Sequence, residues 1–195
     1  MIRPAFAQLE LGLFERNGAP RPAVETTRAL RGHRSCRRVL EHVRYVRRFF
    51  PELDDTTLRV GLTRAASGMA VPGGNEIWLN PSHVSRHTIA HEMVHLLQKR
   101  DLGIPQGERA CDVFSLARHW TLNDVNPGYV RIPASLVNPD GTLPIEGARL
   151  VHRAAAESVA ERDGGLRNYI ARFEERLREW APTLDATRWH RSGRP

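Results

Sequence analysis

The alternation of apolar and polar positions changes period several times along the chain, and each change predicts an element. In residues 6–14, FAQLELGLF, Leu9, Leu11 and Leu13 alternate with Gln8, Glu10 and Gly12, which is strand period. NGAPRPA (17–23) reads as a linker. A helix is predicted over about 25–49, with Val39, Val43, Val46 and Phe50 as its apolar stripe and Pro51 as its stop. TLRVGLTR (57–64) predicts a strand, and SGMAVPGGNEIWLN (67–80) predicts two short strands or a hairpin around Pro72-Gly73-Gly74. Pro81-Ser82 opens a helix through about Arg100, GIPQGE turns the chain, and a second helix follows from near Gln106 to about Trp120. Residues 121–147 are rich in Pro, Gly, Asn and Asp and predict loop, before two further helices near 146–162 and 165–180. The last of these has the period of Leu166, Tyr169, Ile170, Phe173, Leu177 and Trp180, and an aperiodic tail, 181–195, follows it.

One of these helices breaks the pattern of an ordinary core segment. In TIAHEMVHLLQKR (88–100), Ile89, Ala90, Met93, Val94, Leu96 and Leu97 leave almost no wet face, yet His91, Glu92 and His95 sit among them. Buried polar groups are costly unless satisfied. His91-Glu92-Met93-Val94-His95 is H-E-x-x-H: four residues apart on a helix, both imidazoles can reach one metal, and the glutamate can take a proton from a metal-bound water. A catalytic zinc needs a third protein ligand and an open position. The extended pattern H-E-x-x-H-x-x-G-x-x-H does not supply it, because Gln98 and Asp101 stand at its Gly and His places. In the next helix, Glu108 and Asp112 are four apart and share a face. A short turn between the two helices lets Glu108 point into the same cleft as His91 and His95. The other reading of the pair is two solvent-facing helix charges, with Glu108 favoured near a helix start.

H-E-x-x-H followed by E-x-x-x-D on the next helix resembles the gluzincin zinc metallopeptidases. The short spacing of HEMVHLLQ, IPQGE and ACD is most similar to the minigluzincins, over about residues 57–120. The resemblance implies one Zn2+ held by His91, His95 and Glu108, with Glu92 as general base. Asp112 would orient a ligand histidine from behind, as metal-bound imidazoles usually require. It further implies that NEIWLN (75–80), with Glu76, Ile77, Trp78 and Leu79, is an edge strand on which a substrate peptide is added as a further strand. Such peptidases stabilise the oxyanion with a Tyr or His, for which His119, Tyr129 and His152 are the candidates. Minigluzincins are described as latent, so the tail with Trp189 and His190, or the 121–147 loop, is a candidate cover for the cleft. His83 and His87, near the start of the active-site helix, read as structural.

Charge adds a second theme. The formal net charge is +7, Lys99 is the only lysine, and residues 28–48 hold eight arginines: Arg28, Arg31, Arg34, Arg37, Arg38, Arg44, Arg47 and Arg48. A basic helix can hold the phosphates of a nucleic acid, or it can be a solvated face above an apolar stripe. QLELGL (8–13) with Phe14 resembles the peptides that bind the bacterial sliding clamp; the other reading of these residues is a sheet strand. Cys36 and Cys111 are too few for a disulfide framework, and neither sits at ligand spacing to H-E-x-x-H. No signal peptide or membrane span is read, so a cytoplasmic protein with no membrane partner is expected.

These readings combine into an α+β, zincin-like fold: a small mixed sheet packed on an active-site helix, with further helices on both sides in sequence. The expected organisation is an extended segment (1–20), a single catalytic domain (21–180) and a tail (181–195). The expected activity is zinc-dependent endopeptidase. The alternatives are a nucleic-acid-associated module with a structural metal site, or a protease acting on DNA-bound proteins and recruited by the sliding clamp. The last resembles the spartan-type crosslink proteases in having H-E-x-x-H, although those use a third His where this chain has Glu108.

Overall fold

The computed structural model describes the backbone of residues 23–192 and the side chains of residues 23–181. The strand expected over 6–14, and with it the clamp-like peptide at 8–14, lies outside the described residues. The fold is α+β, with a four-stranded mixed sheet and six α-helices among those residues. By internal contacts it divides into two compact units, one ending at Cys111 and the other beginning at Asp112.

The first unit holds the sheet. Strands β1 (Val24–Thr26), β2 (Leu58–Leu62), β3 (Gly68–Ala70) and β4 (Glu76–Leu79) lie in the order β1-β2-β4-β3. β2 runs parallel to both β1 and β4, and β3 returns antiparallel to β4. The expected single helix over 25–49 is instead a strand and two helices. Val24-Glu25-Thr26, with β-branched residues at both ends, pairs with Leu58-Arg59-Val60. Thr27 then caps the short helix α1 (Arg28–Arg31), which stops at Gly32, and α2 (Cys36–Arg47) starts afresh after a turn. Val39, Val43, Val46 and Phe50 are fully buried, as the apolar stripe of α2 requires.

Helix α3 (Arg86–Leu97) packs on α2, β3 and β4. Its start is set by Ser85, whose hydroxyl accepts from the Thr88 amide at 2.9 Å, four residues later than Pro81-Ser82 suggests. Its end is set by Gln98, where ψ swings to 151°, followed by Lys99 in the left-handed region at φ 60°. Ile89, Ala90, Met93, Val94, Leu96 and Leu97 are all buried.

The expectation for β4 needs correcting. Glu76, Ile77, Trp78 and Leu79 do not form an edge: β2 pairs with one side of the strand and β3 with the other. The 67–80 hairpin folds its first arm to the outside, so among the described residues the edge strand next to α3 is β3. Glu76 pairs through its carboxylate with Arg59 at 2.8 Å, while Ile77 and Leu79 point into the core.

Helix α4 (Glu108–Leu116) spans the boundary between the units. In the second unit the 121–147 segment is mostly irregular, with two short 3-10 turns and one bridge, Val125 to Thr142. Helices α5 (Ile145–Asp163) and α6 (Tyr169–Ser192) pack on each other through Val151, Ala154, Ala155, Val159, Phe173 and Leu177. Buried Arg176 crosses between them, donating to the Ser158 hydroxyl at 2.8 Å and to the Glu161 carboxylate. α6 continues to Ser192 through most of the segment read as an aperiodic tail; Pro182 lacks one N–H and the helix continues past it. The side chains of Trp189 and His190 lie outside the described residues. No helix among the described residues is long and apolar enough to cross a membrane.

Several arginines of the basic stretch are engaged inside the first unit. Arg47 is buried and donates to the carbonyls of Leu53 (2.9 Å) and Thr56 (2.6 Å). Arg38 donates to the Pro81 carbonyl, and Arg48 lies over the Tyr45 ring. Arg37 is an exposed partner of Glu41. Removing Arg47 strands two carbonyls, so Arg47→Ala is expected to lower the unfolding free energy by about 2–4 kcal/mol. Arg37→Ala should change it by less than about 0.5 kcal/mol. Urea denaturation of the two variants checks the contrast.

Candidate metal centre

The site is built from α3 and the start of α4. His91 and His95 lie one turn apart on α3, with ring centroids 4.9 Å apart. After Leu97 the chain turns through 98–107, and Glu108 begins α4. His91 Nε2 stands 2.9 Å and His95 Nε2 3.2 Å from the same atom, Glu108 Oε2. Ligand atoms around one tetrahedral zinc, with bonds near 2.0–2.1 Å, stand roughly 3.3 Å apart. The two nitrogen-to-oxygen distances are close to that spacing, which makes these three atoms candidate ligands of one divalent ion of borderline softness. Both histidines are mostly buried, while the Glu108 side chain is 47% exposed, so the cluster has an open side.

Cys111 lies behind this group, its Sγ 3.3 Å from His95 Nδ1. His91, His95 and Cys111 therefore also form a group with ligand atoms close enough for one ion. That arrangement would use the other nitrogen of His95, or a turned ring. The resemblance-based set of His91, His95 and Glu108 needs no such change.

Glu92 is buried beside His91 and Glu108. Burial holds its carboxyl far above the usual carboxylate range, at about 7; the neighbouring His91 pulls it down and the Glu108 carboxylate pushes it up. Gly68, the first residue of β3, makes room for it. A Cβ built there would stand 2.5 Å from Glu92 Oε1 and 2.8 Å from its Cγ. Sequence reading missed Gly68; its signal is a glycine opening a strand, where backbone and another group approach closely.

The other predicted residues have neighbours of their own. Asp112 is buried and belongs to the second unit, where its Oδ2 accepts from the amides of Tyr129 (2.7 Å) and Val130 (3.2 Å). It thereby anchors the 121–147 loop. Tyr129 is exposed. His119 and His152 meet with ring centroids 6.1 Å apart; His152 Nδ1 donates to the Leu116 carbonyl, and His119 Nδ1 pairs with the Thr121 hydroxyl. His87, whose ring lies 6.2 Å from that of His91, is buried in the first turn of α3.

Compared with known proteins, the chain matches no family model, no curated protein and no solved structure.

The raised Glu92 carboxyl has a stability consequence in the metal-free protein. Between about pH 4.5 and 7 the folded state binds more protons at this group than the unfolded chain does. Its contribution is therefore most favourable at low pH, is lost as pH rises through this window and levels off above about 7. Metal-free wild type should lose up to about 3 kcal/mol relative to Glu92→Gln across the window. Paired urea denaturations at pH 4.5 and pH 8 measure it; a constant difference between the two proteins would mean a well-solvated carboxyl.

Proposed function

We propose that the protein is a zinc-dependent metalloendopeptidase in which His91 Nε2, His95 Nε2 and Glu108 Oε2 hold one ion. The observation that carries this reading is the meeting of those three atoms beside a buried carboxyl, Glu92, whose pKa is raised to about 7. When bound, zinc supplies Lewis acidity that polarises a carbonyl and acidifies a water.

The chain's own residues supply the rest. Glu92 takes a proton onto its carboxylate from the attacking water and returns it to the departing amine. Gly68 leaves the space in which the Glu92 carboxylate sits, and the imidazoles of His91 and His95 present their Nε2 atoms from one helix face. The edge strand β3, which packs on α3, offers backbone groups to an extended peptide; this role moves there from β4.

Three substitutions separate the parts of the reading. Wild type should take up about one zinc, and Glu108→Ala should lose most of that affinity, measured by chelator competition and elemental analysis. Glu92→Gln keeps the shape and the ligands. Compared at equal zinc loading, its hydrolysis of an unfolded protein substrate should fall by at least about 10²-fold. Equal, absent hydrolysis by wild type and Glu92→Gln across varied peptides would remove the peptidase assignment. Gly68→Ala places a methyl group against Glu92 without touching a ligand, so zinc content should survive while hydrolysis falls at least about tenfold. Undiminished hydrolysis would mean that Glu92 has no fixed position.

A further inference from the structure

Gln98 lies outside both the H-E-x-x-H and the E-x-x-x-D motifs, yet its side chain touches both halves of the metal centre. It is buried at the first position past α3. Its amide nitrogen stands 2.7 Å from the Pro105 carbonyl and 3.4 Å from the Gly107 carbonyl. Carbonyl oxygens only accept, so the NH2 of Gln98 must be the end that faces them. Its Oε1 therefore faces His95 Nδ1, at 2.8 Å. An amide oxygen also only accepts, so Nδ1 carries the proton, and Nε2, on the side of Glu108 Oε2, is left as the nitrogen that can offer a lone pair to an ion. The Cys111 sulfur flanks the same Nδ1.

The two carbonyls on the other side belong to the turn that delivers Glu108. Gly107 immediately precedes that ligand, and its carbonyl also accepts the first helical bond of α4, from Cys111. One side chain thus fixes the tautomer of a ligand on α3 and the approach of a ligand on α4. The Gln98 backbone is itself held, its amide donating to the Val94 carbonyl. We infer that Gln98 is the positioning residue of the metal centre, selecting Nε2 of His95 as the metal-binding nitrogen and setting the place of Glu108. This inference rests on the metal-site reading proposed above.

The test uses the full chain. In 15N-labelled, zinc-loaded wild type, the His95 ring should show a protonated Nδ1 and a metal-bound Nε2 by long-range NMR correlation. The opposite assignment overturns the inference without any substitution. Chelator competition then compares wild type, Gln98→Met, which fills the volume but offers no comparable acceptor, and Gln98→Glu, which keeps an acceptor at Nδ1. Gln98→Met should bind zinc about 10–100-fold more weakly, and Gln98→Glu should fall between it and wild type.

A residue that merely staples the loop would lower the melting temperature of the zinc-free variants and leave their zinc affinity unchanged, and that result refutes the inference. So does Gln98→Glu binding no better than Gln98→Met. If Gln98→Met does not fold, the wild-type ring assignment and the Gln98→Glu affinity decide. Wild type that takes up no zinc removes the metal-site reading and this inference together. Wild type that binds zinc, with variants of equal affinity, removes this inference alone.

Discussion

Two imidazole nitrogens converge on one carboxylate oxygen, each within about a hydrogen bond's length of it, on a helix whose other buried residues are mostly apolar. Polar groups placed in such surroundings cost stability unless each is satisfied. The first unit is organised around meeting that condition. The sheet and α2 enclose the apolar residues of α3, which gives His91 and His95 a stiff base. The turn after Leu97 brings Glu108 back onto the two imidazoles, and Gln98 ties the turn to His95. If α3 were exposed along one side, the rotamers of the histidines would be free and the spacing of the three atoms would not hold.

What could be read in the sequence divides along the same physical line. The four-residue spacing of His91 and His95, the apolar run around them and the short turn to Glu108 are local, and helix period makes them legible. The α+β class follows from the same short-range patterns. Long-range pairing was not legible. Val24–Thr26 is three residues of strand at the head of a helical pattern, and only its partner β2 makes it one. Which arm of the 67–80 hairpin lies outside depends on β2 choosing β4 as its neighbour, and neither arm's own sequence states that choice. Gln98 was visible only as a departure from a longer motif, and Gly68 only as a glycine. Their roles come from contacts with Pro105, Gly107 and Glu92, which are fixed by tertiary structure.

The basic stretch shows that charge in sequence does not tell which guanidinium groups are already engaged. Arginines at 38, 47 and 48 look like a phosphate-binding row in sequence, but all three guanidinium groups donate to backbone carbonyls, and that of Arg48 also lies over an aromatic ring. An arginine whose donors already hold the fold together offers less to a phosphate than one free in solvent. The net charge of +7 still favours polyanions at long range, which is a matter of encounter and not of a shaped site.

Glu92 bears most directly on the choice between a catalytic and a structural metal centre. A structural zinc site is closed by four protein ligands, and a further desolvated carboxyl beside it adds cost without adding a bond. Here the open side is left by a half-exposed Glu108, and the carboxyl next to it is buried, raised to about 7 and given room by a glycine that forgoes a side chain. A fold that needed the ion only for stability would gain by making Glu92 apolar and filling the space at Gly68. On the proposed reading, such costs are those of a site where chemistry sets the requirement and stability yields to it. The same reasoning applies to Gln98, whose buried amide would be a poor choice for packing alone but has both of its ends matched, one to His95 and one to the turn that carries Glu108.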